Sequence, residues 1–490
     1  MERELPSTLP ECHNLINRLL DTLDEVNKKV DALMLRVEAL EVENAALKKE
    51  NAQLKEKLNQ NSNNSSQPPS QDFKGTRKQK VSTKKPGTGR RRGGQPGHKG
   101  VTRELLPSHE VDSITRCELP AHCSCGGKIV KRADFYRTQV HELPEIKVQV
   151  TEYQCEKGRC NHCRKRYTAP LPAIATKGII GPRLMSLMSL LTSKYHLSRS
   201  LEWDLLKEVF NLKICKATIC NKEKRVTEMT ASTCETILET VKSGDYLHAD
   251  ETSMRESGKN GWLWTFSNAA VTYFAAKNSR GRKVLRDLLG ECQATIISDR
   301  YSAYNLFANE QRQLCWAHLT RDFRRLSESA IENIARIGKE LLAEKDKLFE
   351  QWYAFKNNQI ARECLQQNCE PIARAIEFKL TAISNTAPEL KAAGTCKNIL
   401  KHNEALWTFL REEGIEPTNN HAEQQIRPAV IWRKISFGSQ SALGSQFIAH
   451  LSTVIATAKK QGIKVWDFLQ QAILATINQK PIPLLIPANP

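Results

Sequence analysis

Three acids, two cysteine pairs and one basic run are the parts of this 490-residue chain whose types and spacing can do chemistry. Asp250 follows YLHA and Asp299 follows TIIS, so each is expected where an apolar strand emerges into a cleft; Glu423 falls on an expected helix. Hard carboxylates of this kind suit phosphoryl transfer, in which two divalent cations about 3.5–4 Å apart clamp the attacking and leaving oxygens. Glu251 adjoins Asp250, but successive strand residues point to opposite faces, and Asp250 is the one assigned to the cleft. Around Glu423, Asn419 and Asn420 lie four and three residues before and Arg427 four after, spacings that put all of them on one helix face. A carboxylate for metal beside an arginine for phosphate suits a nucleic-acid substrate. A plain surface Glu–Arg pair has the same spacing, and Pro428 is expected to limit or kink the helix. The CWAH run ending in His318 is expected to close a strand, with His318 in a supporting role beside phosphate or Asp299.

The cysteines suggest a second metal. Cys123 and Cys125 follow His122, and Cys160 and Cys163 form a C-x-x-C pair thirty-odd residues on. Two tight turns presenting two ligands each fill a tetrahedral zinc shell and leave no open position, so this zinc is structural. The first pair has the less usual C-x-C spacing, and His122 is the alternative fourth ligand; Cys117 and Cys155 are spare candidates.

The basic run is sharply localised. The net charge is +19, and the stretch 73–103 contributes eleven Lys or Arg and no acid, leaving +8 for everything else. Such asymmetry points to a polyanion. Lys74, Arg77, Lys78, Lys80, Lys84, Lys85, Arg90, Arg91, Arg92 and Lys99 sit among Gly, Pro and Ser, so they are expected in a flexible arm that neutralises phosphates without reading sequence. No run of about 18 apolar residues is present, which excludes a spanning helix. The polar start carries no secretory h-region. Fifteen cysteines without a secretion signal read as thiols and metal ligands, so a cytoplasmic location is expected, and with a polyanion as partner, association with the nucleoid.

These residues need elements to hold them. Ile16, Leu19, Leu23, Val26, Val30, Leu33, Val37, Leu40, Asn44, Leu47, Asn51, Leu54 and Leu58 recur at three- and four-residue spacings, an a/d seam of about six heptads. β-Branched residues at a, Leu at d and two Asn at a favour a parallel two-stranded coil, so a homodimer is expected. The segments FYRTQVHELP and IKVQVTEYQC alternate like a hairpin. SLEWDLLKEVFNL and KICKATICNKEKRV read as two helices around a short turn, a possible helix-turn-helix. From 245 three antiparallel-type strands precede strand–helix alternation, which implies a mixed α/β sheet, and 321–413 reads as helical. The expected divisions are a coiled coil at 1–60, the arm at 61–108, a small zinc-ribbon-like module at 109–175, a helical region at 176–240, a catalytic domain at 241–437 with the helical insertion inside it, and a C-terminal helical segment and tail at 438–490.

Four long motifs, HADETSMRESGKNGWLW, IISDRYSAYN, LCWAHLTRDF and TNNHAEQQIRPAVIWRKISFGSQS, together resemble the transposases of the insertion-sequence-66 family. NSNNSSQPPSQD, GGQPGHKG, the cysteine region and the N-terminal zipper match in the same order, so the resemblance spans about residues 15–477. It implies a ribonuclease-H-like core with an Asp–Asp–Glu triad, falling here on Asp250, Asp299 and Glu423 at separations of 49 and 124 residues. It further implies DNA cleavage at element ends and strand transfer with two Mg²⁺ or Mn²⁺ ions, DNA as partner, and accessory proteins of the same element. The chain departs from the family at the first cysteine knuckle, where His122 stands in place of a cysteine. Competing readings are a non-enzymatic DNA-binding regulator and a nuclease or resolvase on the same core. Mg²⁺-dependent cutting separates the first from a transposase, and strand transfer the second.

Overall fold

The computed structural model describes residues 8–61, 64, 103–176, 178–386, 388, 390–436 and 438–486; the basic side chains from Lys74 to Lys99 lie outside them. The heptad seam forms one 51-residue helix, α1 (Leu9–Asn59). Its apolar seam residues from Ile16 to Leu58 are 46–62% exposed. Among the described residues no helix is long and apolar enough to cross a membrane.

The chain clusters into two units, residues 78–152 with 204–214, and the remainder. In the first, the stretch expected to begin a hairpin carries no strand; Val140 and Val150 are exposed, and Ile146 and Val148 between them are only half-buried. Alternation predicts a strand only where one face can be buried, and among the described residues none of these apolar side chains is fully covered. The short strands form later, as β1 (Lys157–Arg159) and β2 (Arg166–Thr168), paired antiparallel and followed by the one-turn helix α2 (Ala173–Thr176).

Helices α3 (Pro182–Ser193), α4 (Arg199–Phe210) and α5 (Lys216–Lys242) follow. Apolar residues of α5 recur from Ile219 to Val241 along a buried face, so the expected second helix of a helix-turn-helix is a long core helix. Lys222, nearly inaccessible, pairs with Glu202, and Arg199 with Glu223.

The sheet is built from β3 (Tyr246–Glu256), β4 (Lys259–Ser267), β5 (Thr272–Lys277), then α6 (Arg282–Leu289), β6 (Thr295–Ser298) and β7 (Arg312–Leu314). The strand order is β5-β4-β3-β6-β7, with the first three antiparallel and the last two parallel to β3. The first two connections are short enough for hairpins, whereas β3 to β6 requires the crossover through α6. CWAH does not close a strand: β7 stops at Leu314, Cys315 becomes an N-cap, and His318 lies in the first turn of α7 (Trp316–Ser327).

Helices α7, α8 (Glu332–Lys356), α9 (Arg362–Thr386), α10 (Lys391–Leu400) and α11 (Thr408–Arg411) share one apolar core including Phe323, Leu341, Leu380 and Phe409. Its entry and exit are stapled together. The Trp316 amide donates to the Pro417 carbonyl at 2.9 Å, and the Trp316 indole to the Leu406 carbonyl at 2.9 Å. The chain therefore leaves the sheet and returns beside the point of departure, ready to start α12 (Asn420–Ser436). Pro428 does not end α12; Gln424, whose carbonyl loses its donor, is exposed, so water can replace the missing bond. α13 (Ala442–Lys460) covers the edge strand β5, and α14 (Val465–Ile477) packs on α3. Thr453 and Thr457 hydroxyls accept from the Phe274 and Thr272 amides at 2.9 and 3.1 Å, satisfying edge groups that would otherwise invite another strand.

Candidate active site

The sheet register brings the first two acids together. His248 pairs with Ile297 in the parallel ladder, so two residues further Asp250 lies level with Asp299 and on the same face. Asp250 is not at the end of its strand, since β3 continues to Glu256 along β4. The opening arises because β6 stops at Ser298, which frees that side of β3 where Asp250 stands. The Tyr301 amide donates to Asp299 Oδ1 at 2.9 Å and fixes that carboxylate in the turn leaving β6. The Glu251 amide donates to Asp250 Oδ1 at 2.9 Å.

Glu251 is buried and committed elsewhere. Arg280 Nε donates to its Oε1 at 2.7 Å, and the Tyr304 hydroxyl to its Oε2 at 2.6 Å. The Arg280 guanidinium carbon lies 3.7 Å from the Tyr301 ring centroid and 4.8 Å from that of Trp262. Thus DETS and SDRYSAYN each supply one acid to the cleft, and share between them the packing beneath it.

Glu423 enters from the first turn of α12, half-buried, with Oε1 3.8 Å from His318 Nδ1. Its position follows from ties at both ends of the helix. The Asn419 side chain donates to the Ala249 carbonyl at 2.7 Å, and Arg433 Nη1 donates to the Ser253 carbonyl at 2.7 Å. Beyond the helix Gly438 (φ +101°) approaches β3 so closely that a Cβ would lie 2.3 Å from the Arg255 carbonyl oxygen. Arg427 lies one turn past Glu423, exposed and without an ion pair among the described residues; Asn420 is also exposed. His318 faces Glu423, where sequence reasoning had placed it beside phosphate or Asp299.

The electrostatics are those of an under-neutralised anionic pocket. Burial, then Glu251, then Asp299 push the Asp250 carboxyl well above its usual range, with Glu423 adding to the effect. Among the described residues no Lys or Arg forms a salt bridge with Asp250, Asp299 or Glu423. His318 Nδ1 and Glu423 Oε1 are both buried atoms without a hydrogen-bond partner, facing one gap. With Cys315 Sγ, their ligand atoms lie within 4.8 Å of one another. Cys315 is the weakest of the three as a ligand: burial pushes its thiol up to about 11, and its sulfur accepts the Asn419 amide at 3.1 Å. An orphaned carboxylate oxygen facing an orphaned imidazole nitrogen is a donor pair suited to a divalent cation.

The two cysteine pairs belong to separate units. Cys123 and Cys125 sit in a turn closed by the Cys123 amide on the Gly127 carbonyl and the Gly126 amide on the Cys123 carbonyl, both at 2.9 Å. Cys160 and Cys163 lie between β1 and β2, where the Cys160 amide donates to the Lys165 carbonyl at 2.9 Å. Amide donors from Cys125, and from Cys163 and His162, lower the Cys123 and Cys160 thiols respectively. Such turns favour thiolates and are suited to metal. His122 forms a bridge with Lys128.

Sequence reasoning placed Asn419 and Asn420 on one helix face and gave the supporting role to Asn420 rather than to the buried Asn419; it missed His248, Arg280 and Tyr304. Helical spacing treated the two asparagines alike; the boundary of α12, which falls between them, separates their roles.

Residues 177–446 match the family model described as Transposase IS66 family, and residues 8–104 match a family of unknown function, DUF6444. The chain is 29% identical over 282 residues to an uncharacterized protein of Sinorhizobium fredii, y4qI, covering 52% of each chain. It is 24% identical over 407 residues to a second uncharacterized protein of that organism, y4hP, covering 74% of this chain and 72% of the relative. The chain thus spans about half the length of y4qI.

Proposed function

The chain belongs to the IS66 transposase family, and from that premise we propose that it cuts DNA at the ends of an insertion element and joins them to target DNA. What supports this reading is that Asp299 and Glu423 both lie near enough to raise the Asp250 carboxyl, that no Lys or Arg salt bridge reaches any of the three among the described residues, and that His318 Nδ1 and Glu423 Oε1 are orphaned atoms suited to a cation. Two Mg²⁺ or Mn²⁺ ions, when bound, supply an activated oxygen nucleophile and stabilise the leaving oxygen, so no covalent enzyme intermediate is required. Asp250 on β3 and Asp299 just past the end of β6, level with each other, are the pair suited to hold a shared ion. Glu423 and His318 are suited to the second. Arg427, exposed one turn along α12, is placed to meet a phosphate. The sheet order, with three antiparallel strands followed by two parallel to the first, supports a ribonuclease-H-like core, and the helices between β7 and α12 read as its insertion.

The remaining parts serve the DNA. The basic arm, Lys74 to Lys99, would hold phosphates. Cys123 and Cys125, with His122 as the alternative ligand, and separately Cys160 and Cys163, are the thiols proposed to hold structural Zn²⁺. The exposed seam of α1 would pair with a second copy, as joining two element ends requires, with Asn44 and Asn51 fixing a parallel register.

The test uses the full chain with labelled DNA carrying the element ends and a target plasmid. Mg²⁺-dependent products ending in 3′-hydroxyl, followed by strand-transfer products, are expected. Specific DNA binding without cutting in Mg²⁺ or Mn²⁺ contradicts the reading.

A further inference from the structure

Asn419 is 2% exposed, and all its hydrogen-bonding groups are engaged. Nδ2 donates to the Ala249 carbonyl at 2.7 Å, one residue from Asp250. Oδ1 lies 3.1 Å from His248 Nδ1. The backbone amide donates to Cys315 Sγ at 3.1 Å, three residues before His318. The backbone carbonyl accepts the Glu423 amide at 3.2 Å. One residue therefore joins the strand of Asp250, the start of the His318 helix and the first turn carrying Glu423.

This is not an ordinary helix cap. A capping Asn turns its oxygen onto an amide of the first helical turn, whereas this oxygen faces His248 across the sheet. The donors and acceptors are mutually determined: Nδ2 serves Ala249, so Oδ1 must accept, and His248 must donate through Nδ1. His248 is braced in turn. Its ring lies 5.0 Å from that of His421, two residues before Glu423. Lys460 Nζ lies 2.9 Å from His421 Nε2, and donates to Ser267 Oγ at 2.7 Å and to the Val271 carbonyl at 2.9 Å.

We propose that Asn419, oriented by His248, is a positioning residue that sets the Glu423 carboxylate against Asp250 so that the two can serve one metal centre. The proposal rests on the reading of Asp250, Asp299 and Glu423 as the catalytic acids. Positioning is needed because Glu423 arrives 124 residues after Asp299, through a helical bundle, so no sheet ladder fixes its register. A displacement of about 1 Å at such a centre can cost about 100-fold in rate.

The experiment compares wild type, Asn419→Ala, Asn419→Asp, His248→Ala, His248→Asn, Asp250→Ala and Glu423→Ala in the full chain. Each is assayed for thermal unfolding, DNA binding, single-turnover cleavage, and Mn²⁺ binding by paramagnetic resonance without DNA. Asn419→Ala and His248→Ala should bind DNA normally, bind Mn²⁺ at least tenfold more weakly, and cleave about 100-fold more slowly. Raised Mn²⁺ should recover part of that loss. His248→Asn keeps an N–H near the Nδ1 position and should restore most of both properties. If Asn419→Ala does not fold, the His248 pair and Asn419→Asp carry the test. Wild-type Mn²⁺ binding in Asn419→Ala and His248→Ala, while Asp250→Ala and Glu423→Ala lose it, would overturn the positioning role alone. Wild-type cleavage in Asp250→Ala and Glu423→Ala would overturn the underlying reading, whatever Asn419 does.

Discussion

Arg280→Met separates the two neighbouring acids of β3. Glu251 is buried, and its oxygens are divided between Arg280 and Tyr304. Methionine keeps much of the arginine stem but removes the charge, leaving Glu251 one hydroxyl in a pocket where burial, then Asp299, already raise its carboxyl. Breaking a buried pair from one side costs about 3–5 kcal/mol. Arg280 is 32% exposed, so the lower end applies, and a loss of about 3 kcal/mol is expected. Glu251→Gln added to Arg280→Met removes the stranded charge and should recover about 2 kcal/mol, a coupling that additivity forbids. The pH sign follows. Without Arg280 the folded-state carboxyl lies further above its unfolded value, so the folded state holds the proton over a wider range. Stability then falls as pH rises through that range, and the single variant should be worse at pH 8 than at pH 5. Urea unfolding of the four proteins at both pH values measures this. Additive losses, or a penalty equal at both pH values, would refute the assignment of Glu251 to packing and reopen its claim to the cleft.

Other outcomes follow from the same structure. His248, lowered from about 6.5 to about 4, leaves the unfolded chain binding the extra proton between those values, so it costs up to about 3 kcal/mol as pH falls through that window. His248→Asn should flatten that part of the stability profile relative to wild type; parallel profiles would contradict it. Gly438→Ala combines a left-handed backbone with a Cβ 2.3 Å from the Arg255 carbonyl oxygen, and should lower stability by about 2–3 kcal/mol in urea unfolding. Deleting residues 74–99 removes ten Lys and Arg, and the slope of log binding constant against log salt should become shallower by about 5 or more if most of them meet phosphates; an unchanged slope would exclude the arm from DNA.

Local pattern gave the setting of Asp299 and Glu423 but not that of Asp250. The acid after TIIS does follow the end of a strand and NNHAEQQI is helical, whereas the strand beginning YLHA runs on past Asp250 to Glu256. What the pattern could not supply is register and partnership. That Asp250 stands level with Asp299 depends on a parallel ladder formed across a crossover. That Glu251 is spent on Arg280 and Tyr304 depends on residues 29 and 53 positions away. LCWAH looked like a strand because apolar residues run to Trp316, yet that indole is buried against the returning insertion, and the run turns helical at Trp316 itself. Asn419 and Asn420 are equivalent by type and differ only by which side of a helix boundary each occupies, which tertiary ties decide.

The central claim is that Asp250, Asp299 and Glu423 form one metal-dependent centre and that Glu251 stands outside it. The direct measurement is single-turnover cleavage of element-end DNA in Mg²⁺ by Asp250→Asn, Asp299→Asn, Glu423→Gln and Glu251→Gln, with DNA affinity measured alongside. The first three should lose at least about 1,000-fold in rate at unchanged affinity, the scale of a lost electrostatic contact in a transition state, while Glu251→Gln stays within about tenfold of wild type. Near wild-type cleavage by any of the first three, or a loss in Glu251→Gln as deep as in Asp250→Asn at equal stability, would contradict the account.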